Sequence, residues 1–355
     1  MFSVLVIVSG LVDLLGSGDD TVPMVTLGVL AGLVSSIGYS RIRAAERVRD
    51  ADVLGGLTLC LLLLVMMVSA AHLLIGTTGS VVDALTDSTA ALTTTALGVL
   101  APDVGDHAGR FLRAGSQWLG GFGGLMVAVA ILPFFGAERE FADRSRLRGR
   151  RPMTPNRLTA MRNIVYLHGV VSVGTWIGYV LAGLGTFDAL MVAMATVSTG
   201  GMVDGDPFAD PAVQYVAIAG MAVTGTSLVV LWRLVVGRTR GLMRSAELRA
   251  YLGLLVLGTA LLLLWTGGSG PDGIRRAAFT VTAAVTTTGF PSAPAGIWAA
   301  AAPVLLLGLV SIGPMTGSAG GGFQIMRHRA LLKVALREMV RQLHPRVVSR
   351  VRLGG

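Results

Sequence analysis

The chain has 355 residues, of which 53% are hydrophobic and only 14% charged, and its mean hydropathy is +0.70. A soluble domain of this length needs a more polar surface, so composition excludes an ordinary water-soluble globular protein. The net charge of +9 would suit nucleic acid, but the basic residues lack the aromatic interleaving of a nucleic-acid surface and follow a membrane pattern instead.

Crossing a hydrocarbon core takes roughly 20 apolar helical residues. In chain order, weaker runs at 2–15 and 23–39 are followed by clear ones at 53–76, 111–135, 164–184, 213–236, 252–266 and 298–312. They predict about eight spans in an all-α integral membrane protein. No basic stretch precedes Phe2 and no small-residue cleavage site follows it, so no cleavable signal is expected. The single cysteine, Cys60, falls in mid-span, which leaves no disulfide framework and no cysteine metal site.

Numbering the spans assigns a side to every loop. Of the 29 basic residues, all but Arg110, Arg113, Arg275 and Arg276 fall on one side, in groups at 41–49, 139–162, 233–249 and 327–352. Basic residues collect on the cytoplasmic face, which predicts a multi-pass protein of the cytoplasmic membrane with both termini inside.

Between the members of three span pairs lie polar segments that align without a gap, at 83–96, 188–201 and 276–289. Each has alanine second (Ala84, Ala189, Ala277) and closes on Ser, Thr, Ala or Gly. The first ten residues of each would form a helix of about 15 Å, half a bilayer. All three lie on the side opposite the basic loops. Half-helix followed by a Thr/Gly strand describes a re-entrant pore loop, and a lone TTTG would be weak where three register-matched copies are not. Non-helical backbone at membrane depth is tolerated only when buried in protein or lining a watery cavity. The half-helix aims its negative end at the membrane centre, and the strand supplies carbonyl and hydroxyl oxygens, neutral ligands suited to alkali cations.

At these residues the chain resembles the membrane subunit of the Trk/Ktr/HKT potassium transporter superfamily. The resemblance extends to Gln117-WLGGFGG-Leu125 with the following Ala130-ILPFFG, to Gly313-PMTGSAGGG-Phe323, and to Leu343-His344-Pro345 with the closing Val351-RLGG. It implies span–pore-helix–span units around a pseudo-fourfold pore, and monovalent cation transport, potassium foremost, through a carbonyl-lined filter. Filter positions carry over to Thr93, Thr94, Thr95 and Ala96; to Ser198, Thr199, Gly200 and Gly201; and to Thr286, Thr287, Thr288 and Gly289. An intramembrane gate carries over to Gly317, Ser318, Gly320, Gly321, Gly322 and Gln324. The implied domains are two leading helices (1–50), pore-loop units at 51–150, 151–245 and 246–326, and a basic cytoplasmic tail (327–355).

Three departures qualify that reading. Ala96 stands where the family has glycine, which leaves a sodium-permeable transporter as an alternative. Gln324 replaces a lysine after the gate. The chain reaches Gly355 where a fourth unit is expected to begin, so three of four filter strands are expected. The alternative is a truncated, non-conducting fragment or a subunit completed by another chain. The resemblance implies a homodimer in membrane lipid with a cytosolic nucleotide-binding regulatory ring. The chain itself has no P-loop, and no HExxH or GxSxG, so neither an enzyme nor a bound cofactor other than the transported ion is expected.

Other polar residues have blander readings. Asp13 in a short first helix invites a functional role or an interfacial position. His72 and His168 are expected to be satisfied by neighbouring helices. Asp83 and Asp188 head pore helices, where they cap, and with Asp204, Asp206, Asp210 and Asp272 they would form an acidic vestibule. Gly120, Gly121, Gly123 and Gly124 are expected to permit close helix packing. The tail at 327–352 is expected to lie on anionic lipid or to dock the regulator.

Overall fold

The computed structural model describes residues 2–15, 21–41, 50–99, 107–128, 157–266, 270–291 and 302–343. The stretches 130–136, 344–345 and 351–355 of the motifs above lie outside them. The regular elements among the described residues are all helices, with no β-strand. In order they are α1 (Phe2–Leu15), α2 (Thr21–Arg41), α3 (Asp50–Leu74), α4 (Val81–Leu92), α5 (His107–Met126), α6 (Arg157–Leu181) and α7 (Thr186–Val197). Then follow α8 (Pro211–Thr224), α9 (Leu228–Val235), α10 (Ala246–Thr266), α11 (Gly270–Val285), α12 (Ala302–Ile312) and α13 (Ile325–Leu343).

Among the described residues three helices are each long and apolar enough to cross a membrane: Asp52–Leu74, Thr159–Leu181 and Ala246–Trp265. Their outer faces stay apolar and uncovered, with Leu63, Val256 and Leu264 all exposed. That pattern suits lipid, which solvates leucine as well as another leucine does.

The expected span 213–236 is not one helix. It divides into α8 and α9, bent by 106°. The break falls at Gly225, Thr226 and Ser227, and its cause is tertiary. The Thr224 and Gly225 carbonyls accept N–H groups of Ala319 and Met315 at 3.3 and 3.1 Å, so the helix ladder gives way to partners elsewhere. A Cβ at Gly225 would also collide with the Tyr251 hydroxyl.

Local chemistry explains the helix ends. Ser80 caps α4 by accepting the Asp83 N–H at 3.3 Å, so this helix begins ahead of Asp83. The third half-helix starts well before Arg276, at Gly270 with φ +80, followed by Pro271. Asp210 caps α8 through a 2.7 Å bond from the Ala212 N–H, with Pro211 in the first turn. Asp210→Ala is expected to cost about 1 kcal/mol, read as a lower thermal midpoint in detergent.

The chain folds as two compact units, Met1–Gly121 with Leu184–Pro207, and Phe122–Gly183 with Phe208–Gly355. The first is built on Val6, Met24, Val68 and Leu112, and on Phe111, Ala114 and Met191. The second is built on Tyr251, Leu262, Val281, Leu309 and Met315, with a smaller cluster at Leu125, Ile164, Leu167 and Leu228. Asp13 is buried between α1 and α2, where the Thr21 hydroxyl donates to it at 3.4 Å.

Candidate functional site

The half-helices α4 and α7 are each 12 residues, about 18 Å at 1.5 Å per residue, and α11 is 16. Each runs straight into a candidate filter strand. The first two strands belong to the first compact unit, and the third strand with the glycine-rich break belongs to the second.

The strands share an unusual backbone. Thr94, Thr199 and Thr287 have φ of +52, +54 and +57, and two residues later Ala96, Gly201 and Gly289 have φ of +59, +69 and +72. Thr93 and Ser198, one residue ahead, are right-handed. A β-branched residue at positive φ is a genuine outlier, and such strain costs about 1–3 kcal/mol per residue. Among the described residues five non-glycines have positive φ: Thr94, Ala96, Thr199, Thr287 and Gln324. Every one is a candidate filter or gate residue. Strain that persists only there must be held by surrounding structure, and sites of function are where it collects.

Three of the four N–H donors in each strand bond back to its half-helix. Thr94 and Thr95 N–H bond the Ala91 and Ala90 carbonyls at 3.1 and 2.9 Å. Thr199 and Gly200 repeat this on Thr196 and Ala195, and Thr287 and Gly289 bond Ala284 and Ala283. This is the helix-ending bond pattern that normally requires glycine at the left-handed position. A right-handed residue followed by a left-handed one turns successive N–H groups to one side, here toward the helix end. Hydroxyls extend the pattern in two loops: Thr93 and Thr95 pair at 2.7 Å, Thr286 and Thr288 at 2.8 Å. Ser198 and Gly200 occupy those positions in the second loop, which lacks the pair.

The glycine-rich segment ends α12 at Ile312, and α13 resumes at Ile325. Between them the freed backbone groups find partners. The Leu228 N–H donates to the Gly317 carbonyl at 3.0 Å, closing with the Met315 and Ala319 bonds an interlock between the two helix breaks. Glu247 accepts the Thr316 N–H at 2.7 Å, and the Gly321 N–H donates to the Thr287 hydroxyl at 2.7 Å. The candidate gate therefore touches the third candidate filter strand directly.

Sequence reasoning missed the residues that hold the first unit together. One stripe of α5 carries Arg110, Arg113, Gln117, Gly120 and Gly121. Arg113 is buried and ion-paired to Asp87 at 3.2 Å and Asp204 at 2.6 Å, while Arg110 reaches Asp188 at 2.5 Å and Asp204 at 3.4 Å. These arginines rim a cleft of about 450 Å³ with Asp206. Burial pushes the Asp204 carboxyl up from the usual range, with Arg113 and then Arg110 pulling it back. Two vestibule candidates, Asp188 and Asp204, thus spend their charge on arginines; Asp210 caps a helix and Asp272 pairs with Arg275. Arginine near a span end was the available signal, since an intramembrane charge is costly without a partner.

Gly120 and Gly121 do permit close packing. A Cβ on Gly120 would strike the Leu92 carbonyl, and one on Gly121 would lie 2.8 Å from the Ser198 Cα. Gly123 and Gly124 have open space instead. His72 is buried with its Nδ1 3.0 Å from the Thr77 hydroxyl, and His168 packs against Phe122 at 5.4 Å between ring centres. Cys60 is exposed on the apolar face of α3.

Comparison with known proteins gives concordant relatives. The Trk system potassium uptake protein TrkH of Escherichia coli K12 is 31% identical over 291 residues, 78% of this chain and 60% of that protein. TrkH of Halomonas elongata is 30% identical over 289 residues, 77% and 59%. The crystal structure of the potassium transporter TrkH from Vibrio parahaemolyticus superposes with a TM-score of 0.88 at 28% identity, covering 100% of this chain and 76% of that one. The chain belongs to the Trk/Ktr superfamily. It spans about 60% of the length of the curated relatives it matches. No family model matches it. Its all-α membrane architecture is that of a Trk/Ktr membrane subunit.

Proposed function

We propose that the protein carries a monovalent cation, potassium, through a cytoplasmic membrane, with Thr93–Ala96, Ser198–Gly201 and Thr286–Gly289 as filter strands. The observation that supports this most is the concentration of strained non-glycine backbone in these strands and at Gln324. A filter replaces an ion's water with carbonyl oxygens. Strands whose donors are tied back to the half-helices have carbonyls to give, and each half-helix adds its negative end. Gly317, Ser318, Gly320, Gly321, Gly322 and Gln324 form the gate on this reading, since the loop that carries them bonds a filter hydroxyl. The bound species is the transported ion, and no catalytic step is involved. Both termini lie on the cytoplasmic side, where a nucleotide-binding regulatory ring would meet a homodimer of subunits.

Potassium uptake in liposomes tests the proposal, measured with and without a fourth pore-loop unit supplied. Selective flux in either arm supports it, and none in both would sink it. Sodium permeation is a second reading favoured by one residue, Ala96. An alanine at φ +59 carries a Cβ that a left-handed backbone resists by about 1–2 kcal/mol. Ala96→Gly is expected to raise stability by about 1 kcal/mol and to shift preference from sodium toward potassium. Thermal unfolding and the flux ratio of the two ions check both parts.

A further inference from the structure

We infer that Gln117 is a positioning residue that fixes the exit of the second filter strand, and through it the cation preference. The inference rests on the filter reading above, but its first half stands on geometry alone. The Gln117 side chain is fully buried, and its amide makes both hydrogen bonds a backbone residue can offer. Its Nε2 donates to the Met202 carbonyl at 2.9 Å, and its Oε1 accepts the Met202 N–H at 3.0 Å. Met202 follows Gly201, which holds φ +69. A Cβ on Gly200 would collide with the same Gln117 amide, so side chain and strand are in contact on either side of Gly201.

The neighbouring turns of α5 act on the same segment. Gly121 lets the helix meet Ser198, the first residue of the strand, and Arg113 holds Asp204 beyond it. Glycine and arginine supply room and charge, whereas Gln117 supplies a template: only a planar amide presents one donor and one acceptor in the spacing of a peptide group. The Met202 side chain packs on Ala90 and Ala91 at the end of α4, so the clamped residue also abuts the first loop. Gly201 accepts a left-handed backbone without strain but is also free to leave it, and the two directed bonds on Met202 remove that freedom.

Gln117→Met keeps length and removes both bonds, and Gln117→Asn keeps the amide one carbon short, giving a second variant if the first folds poorly. Hydrogen exchange of the peptide spanning residues 198–203 in detergent is the direct readout, with residues 93–96 and 286–289 as internal references. Losing two buried bonds should speed exchange at Met202 by about tenfold or more, leaving the third strand unchanged. Flux in liposomes with potassium or sodium should then show discrimination reduced by about tenfold. Unchanged exchange overturns the clamp, and faster exchange spread evenly over all three loops reduces Gln117 to ordinary packing. Local loosening with intact discrimination overturns its role in selectivity. A wild-type protein that discriminates no cation sinks the filter reading and that role together, while the exchange result still decides the clamp.

Discussion

Arg113→Leu is expected to destabilise the protein by about 3–5 kcal/mol, the largest effect of any single replacement considered. The guanidinium is buried between two carboxylates, Asp87 on the first half-helix and Asp204 beyond the second strand. Removing one partner of a buried ion pair leaves the other charge without compensation, which costs far more than the pair contributes when whole. Asp204 retains Arg110 at 3.4 Å, so Asp87, whose side chain is fully buried, is the group left stranded. Leucine restores the apolar bulk and isolates the electrostatic loss from a packing one. The pH dependence has a definite sign. Burial already holds the Asp204 pKa above its ordinary value, and losing Arg113 removes the strongest opposing charge. A folded-state pKa above the unfolded one means that folding favours the protonated form, so stability is greatest below the unfolded pKa and falls as pH rises through the folded one. The deficit of Arg113→Leu should therefore shrink on acidification toward the ordinary carboxylate range, about pH 4, and widen above it. Thermal unfolding of both proteins across that range measures it. A deficit that is small and flat with pH would mean the two carboxylates find other partners.

The reach of the sequence can be judged from such residues. The three half-helices and their strands were legible because a repeat in register carries its own evidence, and the glycine-rich break because Pro314 and five glycines cannot continue a helix. The Arg113 and Gln117 contacts were not legible. Their partners lie 91 and 85 positions away, and no local pattern records which helix stripe meets which strand. The α8–α9 break was hidden for a different reason. Gly225-Thr226-Ser227 is a mild interruption within an apolar run, and what opens it is a set of N–H groups from the far-off glycine segment. Hydropathy sees the run and not the competitor. The αL threonines were likewise beyond composition, since propensity argues against them.

Gly320→Ala is expected to cost about 1–3 kcal/mol and to reduce cation flux by at least about tenfold. A Cβ at this position would lie 2.5 Å from the Thr286 carbonyl oxygen and 2.5 Å from Pro314 Cγ. Neither neighbour yields easily: one is backbone at the head of the third strand, and the other is a ring locked into the break. The methyl must therefore displace either the strand or the glycine segment. Either movement strains the adjacent bond from the Gly321 N–H to the Thr287 hydroxyl, which joins that segment to a left-handed strand residue. Gly253→Ala is the matched control, because a Cβ there meets nothing within 4 Å and alanine suits a helix interior better than glycine. It should leave flux unchanged and stability equal or slightly higher. Flux and thermal unfolding of the two variants, compared in the same liposome and detergent preparations, separate the cases. If Gly320→Ala transports and unfolds like Gly253→Ala, the glycine segment is not in mechanical contact with the third strand, and its reading as a gate is lost with that contact.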